Sequence, residues 1–61
     1  MTETIELPIE VVEWRFRHLL EAGYPAVTAM RLAEMPEIDL HEACDLLKRG
    51  ASVPQALRIL L

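Results

Sequence analysis

The 61-residue chain has one cysteine, Cys44, and only two glycines, Gly23 and Gly50. A single thiol excludes an intrachain disulfide, so no covalent staple supports a domain this small. With no signal-peptide pattern at the start, the lone cysteine points to a reducing, cytoplasmic setting. The scarcity of glycine, against ten leucines and seven alanines, argues for an all-α fold. No apolar run approaches the ~18 residues of a membrane span. Basic side chains are also few: six Lys and Arg stand against ten Asp and Glu, for a net charge of −4. No basic stripe is available to neutralise phosphates, so nucleic acid is disfavoured as a partner of the monomer surface.

What the chain does have is apolar content. At 52% it is too high for intrinsic disorder. The length excludes two cores, and with them a multi-step enzyme carrying its own cofactor domain. A domain near this size buries only ~60% of the surface its unfolded chain exposes. Efficient helix packing, or association with itself or another chain, must make up the rest.

The charge is segregated. Glu3, Glu6, Glu10 and Glu13 lie in the first 13 residues with no basic side chain, and the remaining six acids balance six bases. In the same region Ile5, Leu7, Ile9 and Val11 alternate with Glu6, Pro8 and Glu10. A period of two is the pattern of an extended strand or arm. The organisation expected is an extended acidic arm over 1–7, able to pair with a sheet edge or its own symmetry mate. A helical bundle domain follows over 8–61. The carboxylates have no partners for acid–base catalysis and read as a solvated end or as an electrostatic guide to a basic surface.

Helix boundaries are well punctuated. Pro8 sits at a helix start and Gly23 at its end. Pro25 opens a second helix to about Glu34, and Pro36 closes it. Asp39 followed by Glu42 reads as a capping box for a third helix ending near Arg49 and Gly50. Ser52 with Gln55 is a second capping box, which predicts a fourth helix over 53–60.

The last three helices share a pattern. Segment 39–47 aligns with 52–60 at an offset of 13, placing Ala43 opposite Ala56. Segment 26–33 fits at an offset of 14, with Ala29 opposite Ala43. A small residue flanked by larger apolar ones lets short helices approach closely. Three short units favour a compact bundle of three core helices plus a short fourth over a solenoid.

The first helix carries two apolar faces. Ile9, Val12, Phe16, Leu19 and Leu20 fall on one side, while Leu7, Val11, Trp14 and His18 fall on the other. Arg15 occupies one flank between them. A helix of a small domain needs one apolar face. The second, bearing the only tryptophan, is either covered by the arm or the fourth helix, or it is a contact face for a protein partner. His18 beside it would make such a contact sensitive to pH.

No catalytic, cofactor or metal site is expected. His41 and Cys44 have a chelating spacing, but only His18 remains as another histidine. Cys44 shares an apolar face with Leu40 and Leu47, which favours a buried thiol. A Cys–His nucleophilic pair needs a cleft, and a four-helix chain of this size offers little of one.

Residues 12–49 resemble the ubiquitin-associated (UBA-like) three-helix domain. The loop Ala22-Gly23-Tyr24-Pro25 matches that family's Met-Gly-Phe/Tyr loop, with Ala22 in place of the methionine. Ala29 follows the aromatic by five positions, and Ala43 by nineteen, within Glu42-Ala43-Cys44-Asp45-Leu46-Leu47. The resemblance implies a binding patch made by Gly23, Tyr24, Leu46 and Leu47. A weaker resemblance is to dimeric ribbon-helix-helix repressors, through Ile5-Glu6-Leu7-Pro8 and Gly23. It implies a ribbon from residues 3–8, yet one presenting Thr4 and Glu6 to phosphate, which is electrostatically wrong. A helix-turn-helix over 26–49 meets the same objection, with Glu42 and Asp45 near the start of its recognition helix.

The function expected is therefore a small, non-catalytic protein–protein interaction module or accessory subunit, whose partner is another protein or itself, with a homo-oligomer expected. Its candidate contact residues are Leu7, Val11, Trp14, His18, Gly23, Tyr24, Leu46 and Leu47. The alternative is a DNA-binding regulator of ribbon-helix-helix or helix-turn-helix type. A thiol or metal-dependent enzyme is the least favoured.

Overall fold

Pro8, with φ −56° and ψ 146°, is the last extended residue before helix α1 (Ile9–Ala22). Its carbonyl accepts from the N–H of Val11 and Val12 at 3.0 and 3.1 Å. Pro25 plays the same part, with ψ 152°, before α2 (Ala26–Ala33). Both prolines thus stand one place outside the helix, where their fixed φ is compatible and no N–H is missed. In this computed structural model residues 7–61 are described. The segment 1–6, with most of the expected arm and ribbon, lies outside the described residues.

Helix α3 (Leu40–Lys48) starts at Asp39, whose Oδ1 accepts from the N–H of His41 (2.9 Å) and Glu42 (3.3 Å). The Glu42 half of the expected capping box is not made in return. Helix α4 (Val53–Leu60) has the complete box. There Ser52 Oγ accepts from Gln55 N–H, and Gln55 Oε1 accepts from Ser52 N–H.

The two glycines end α1 and α3 alike. Gly23 has φ +121° and Gly50 φ +99°, values that side chains with a Cβ rarely adopt. Tyr24 N–H reaches back to Leu19 O, and Gly23 N–H to Leu20 O. Ala51 N–H reaches Leu46 O, and Gly50 N–H reaches Leu47 O. These paired back-bonds satisfy carbonyls left over at each helix end. An i,i+4 ion pair, Asp45–Arg49 at 2.8 Å, decorates the end of α3. It is exposed and adds little.

Helix α1 is the hub: it packs on both α2 and α3, and α4 packs on α3. The fully buried core is Leu19, Tyr24, Ala29, Leu32, Ala33, Ile38, Ala43 and Ala56. The three alanines at the repeat positions, Ala29, Ala43 and Ala56, are each 0% exposed. Small side chains at the crossings let helices of eight or nine residues share a core.

Not all of the apolar side of α1 that carries Leu19 is covered: Ile9 is 72% exposed and Leu20 is at the surface. A wheel shows direction and not reach: α2 and α3 cover the Val12, Phe16 and Leu19 positions and leave those two beyond them. Arg15, placed on a flank, is the most connected polar side chain among the described residues. Its Nε donates to Ala33 O (3.1 Å). Its Nη2 donates to Leu32 O (3.3 Å), Met35 O (3.0 Å) and Ile38 O (2.7 Å). One guanidinium thus holds the end of α2 and the whole turn into α3.

Replacing Arg15 by Ala strands these carbonyls, and each unsatisfied polar group costs ~1–3 kcal/mol unless water replaces the donor. Arg15→Ala should therefore lower unfolding stability by about 2–3 kcal/mol, and Arg15→Lys should recover under half of it, because an ammonium cannot fork. Urea unfolding followed by circular dichroism measures both; an unchanged midpoint in Arg15→Ala would contradict the role.

Candidate functional site

Arg15 turns inward, so its neighbours on α1 turn outward. Trp14 is 55% exposed and Val11 38% exposed. His18 is exposed one turn further on, its ring edge-on to the Trp14 indole with centroids 4.5 Å apart and planes at 61°. Aromatic pairs prefer this edge-to-face geometry. Across from them runs α3. Between the two helices lies an open groove of about 670 Å³, walled by Trp14 and His18 on α1 and by His41, Cys44, Asp45 and Lys48 on α3. Pro36, Ile38 and Asp39, of the turn between α2 and α3, also line it. The chain therefore has more of a cleft than its size suggested. No residue of α4 lines it.

The groove chemistry is mixed. The Asp39 carboxylate is engaged with backbone N–H groups, and Asp45 with Arg49. Lys48 makes no ion pair among the described residues. The Cys44 thiol donates to His18 O at 3.7 Å, tying the two walls together. Burial pushes the Cys44 thiol above its ordinary value, with Lys48 pulling it down and Glu21 pushing it up. Its environment favours the protonated, unreactive form. His18, His41 and Cys44 line one groove, but among the described residues no group of three or more His, Cys, Asp or Glu is disposed to hold a metal.

The remaining expected contact residues fare differently. Leu7 is half-buried at the foot of α1. Gly23 is exposed, and a Cβ there would sit 3.5 Å from Leu47 Cδ1. Leu46 and Leu47 are half-buried and pack on the core. Tyr24 is not a surface residue. It is 2% exposed, and its hydroxyl donates to Ala43 O at 2.8 Å. The ring anchors the α1–α2 turn to the middle of α3. The loop patch implied by the UBA-like resemblance thus lacks its aromatic.

A second apolar hollow, of about 400 Å³, was not foreseen. Phe16, Ala26, Val27, Met30 and Arg31 line it, and Val27 is 71% exposed. The alternation of small and large residues on α2 marked its buried face and said nothing of this outer one. Among the described residues no helix is long and apolar enough to cross a membrane. No protein-family model matches the chain, and neither a curated protein nor a solved structure matches it.

Burial also raises the Tyr24 hydroxyl above its ordinary value, helped by nearby Cys44. Both acids then deprotonate more easily in the unfolded chain than in the folded one. Their stabilising contribution is full below the ordinary values of 9.0 and 10.0, and is lost as pH rises through the raised folded values. Stability should fall progressively above about pH 9–10, and Tyr24→Phe should flatten the upper part of that fall. Thermal unfolding between pH 7 and 11 tests it; an unchanged slope in Tyr24→Phe would refute the assignment.

Proposed function

We propose that this protein is a small, non-catalytic protein–protein interaction module or accessory subunit whose contact surface is the outer face of α1. The observation that carries the reading is Trp14: a 55% exposed indole on the rim of a groove that α4 leaves uncovered. A large aromatic is costly to leave in water and is the side chain most often central to binding energy. Val11 extends the face toward the helix start, and His18 extends it toward the helix end. Leu7 completes it at the foot of the helix. The free thiol of Cys44 suits a reducing compartment such as the cytoplasm. A UBA-like placement of the partner, at Gly23, Leu46 and Leu47, receives less support, because Tyr24 is internal. Self-association through the α1 face belongs to the same reading.

The test compares Trp14→Ala with Ile59→Asp, which changes an exposed residue of α4 away from the groove. Trp14→Ala should alter folding stability by no more than about 1 kcal/mol, because the site is exposed. It should weaken capture of a specific partner, or of a second copy, by roughly 2 kcal/mol or more. Ile59→Asp should capture as wild type does. Affinity capture with quantitative mass spectrometry, together with light scattering, reads both; full retention of every partner by Trp14→Ala would refute the proposal.

A further inference from the structure

The exposed charges of α1 change sign along the helix. Glu10 and Glu13 stand in its first half, and Arg17 is the exposed cation of its second half. Arg15, between them, is engaged with backbone carbonyls. Among the described residues neither Glu10, Glu13 nor Arg17 has an ion-pair partner. Resting on the reading of the outer face of α1 as a contact surface, we propose that its occupant is a second copy of this chain. Two α1 helices pack antiparallel about a two-fold axis, burying both Trp14 indoles and pairing Glu10 of each copy with the partner's Arg17.

Three observations carry this. The first is spacing. Val11, Trp14 and His18 follow one another at three and four residues, and all are exposed. That is the spacing of the seam between two paired helices. The second is charge complementarity. Glu10 and Arg17 each immediately precede a seam residue and are seven residues apart, about 10 Å along the helix. They share one edge of the seam, and antiparallel packing sets that edge against the same edge of the other helix. The midpoint between them falls beside Trp14, so a single two-fold axis makes both ion pairs and brings the two indoles together. The third is access. The groove to α3 is lined by Trp14, Arg15 and His18 and not by Glu10 or Arg17. The charged edge therefore faces away from α3 and is open to a second copy. Parallel packing does worse on the same face. It sets Glu10 toward the partner's Arg15, already held by carbonyls, and brings the next seam residue, Glu21, against its own counterpart. Antiparallel packing sends Glu21 to the foot of the partner's α1, at the margin of the contact.

Sedimentation of the full chain, from low micromolar to near-millimolar concentration, reads the pairing. Wild type should pass from monomer to dimer and stop there, because a two-fold contact closes. Glu10→Arg and Arg17→Glu should each weaken the dimer roughly tenfold, since each sets like charges together twice. The double variant Glu10→Arg/Arg17→Glu rebuilds both pairs in reverse and should recover most of the loss. Trp14→Ala should weaken the dimer about thirtyfold or more, and Ile59→Asp should dimerise as wild type does. Far-ultraviolet dichroism should be unchanged in every variant, because each site is exposed. A wild type that stays monomeric over the whole range overturns the proposal and leaves the contact face to a different protein, which capture by Trp14→Ala judges. A double variant no better than the single ones overturns the antiparallel arrangement. A dimer that Trp14→Ala leaves intact overturns the pairing and, where every other partner is retained as well, the contact reading with it.

Discussion

The guanidinium of Arg15 is the interaction on which the rest of the structure depends. Helix α2 is eight residues long and ends without a glycine to fold its carbonyls back. Isolated helices of that length are not stable in water. Its last carbonyls, and those of the turn that follows, converge on a side chain projecting from α1. The turn must be held because it carries Ile38, one of the eight buried core residues. It also carries Asp39, the cap of α3. A single planar cation with several donors serves four acceptors at once, which neutral side chains cannot. It further places positive charge at a helix C-terminus, where the dipole favours it.

From that anchor the order of the other contacts follows. With Ile38 and Asp39 in place, α3 lies along α1 and brings Ala43 under Tyr24. The Tyr24 hydroxyl then closes the opposite end of the α1–α3 pair, through the turn that Gly23 makes possible. Two polar tethers thus clamp α3, one at its start and one at its middle. Helix α4 has no comparable tether. It rests on α3 through Ala56 and its flanking aliphatics, held at its start by the Ser52–Gln55 box. An element with one neighbour opens at a lower cost than elements clamped on two sides.

Helices were legible in the sequence because their signals are local. Proline, glycine and the Asp39 and Ser52 caps act within four residues, so the boundaries fell close to those observed. The equivalence of Ala29, Ala43 and Ala56 was legible too, since a small residue at a crossing leaves a periodic trace. Arg15 was not legible. Its acceptors are backbone carbonyls 17 to 23 positions away, and a carbonyl has no identity in a sequence. Tyr24 was misplaced for a related reason. A Gly-Tyr-Pro turn looks like an exposed loop until its partner, the Ala43 carbonyl, is known. The outward face of α1 was visible as an excess of apolar positions; the groove beside it was not, because it is made by the angle between two helices.

The position of Arg15 also explains why the outer face of α1 exists at all. In a helix with two apolar sides, one polar position between them decides which side turns inward. With Arg15 bound to the carbonyls at the end of α2, Leu19 lies in the core and Val12 and Phe16 pack against it. The same arrangement leaves Val11, Trp14 and His18 outward, since neighbours at 100° intervals cannot all be covered by two helices packed on the other side. The exposed indole is thus the counterpart of the half-buried, carbonyl-bound guanidinium one residue further along. A chain of 61 residues has few helices to spare, and α4 is committed to α3. Covering Trp14 therefore falls to whatever lies outside the four helices. That makes this face, of all the apolar surface described, the one whose exposure follows from how the core is built.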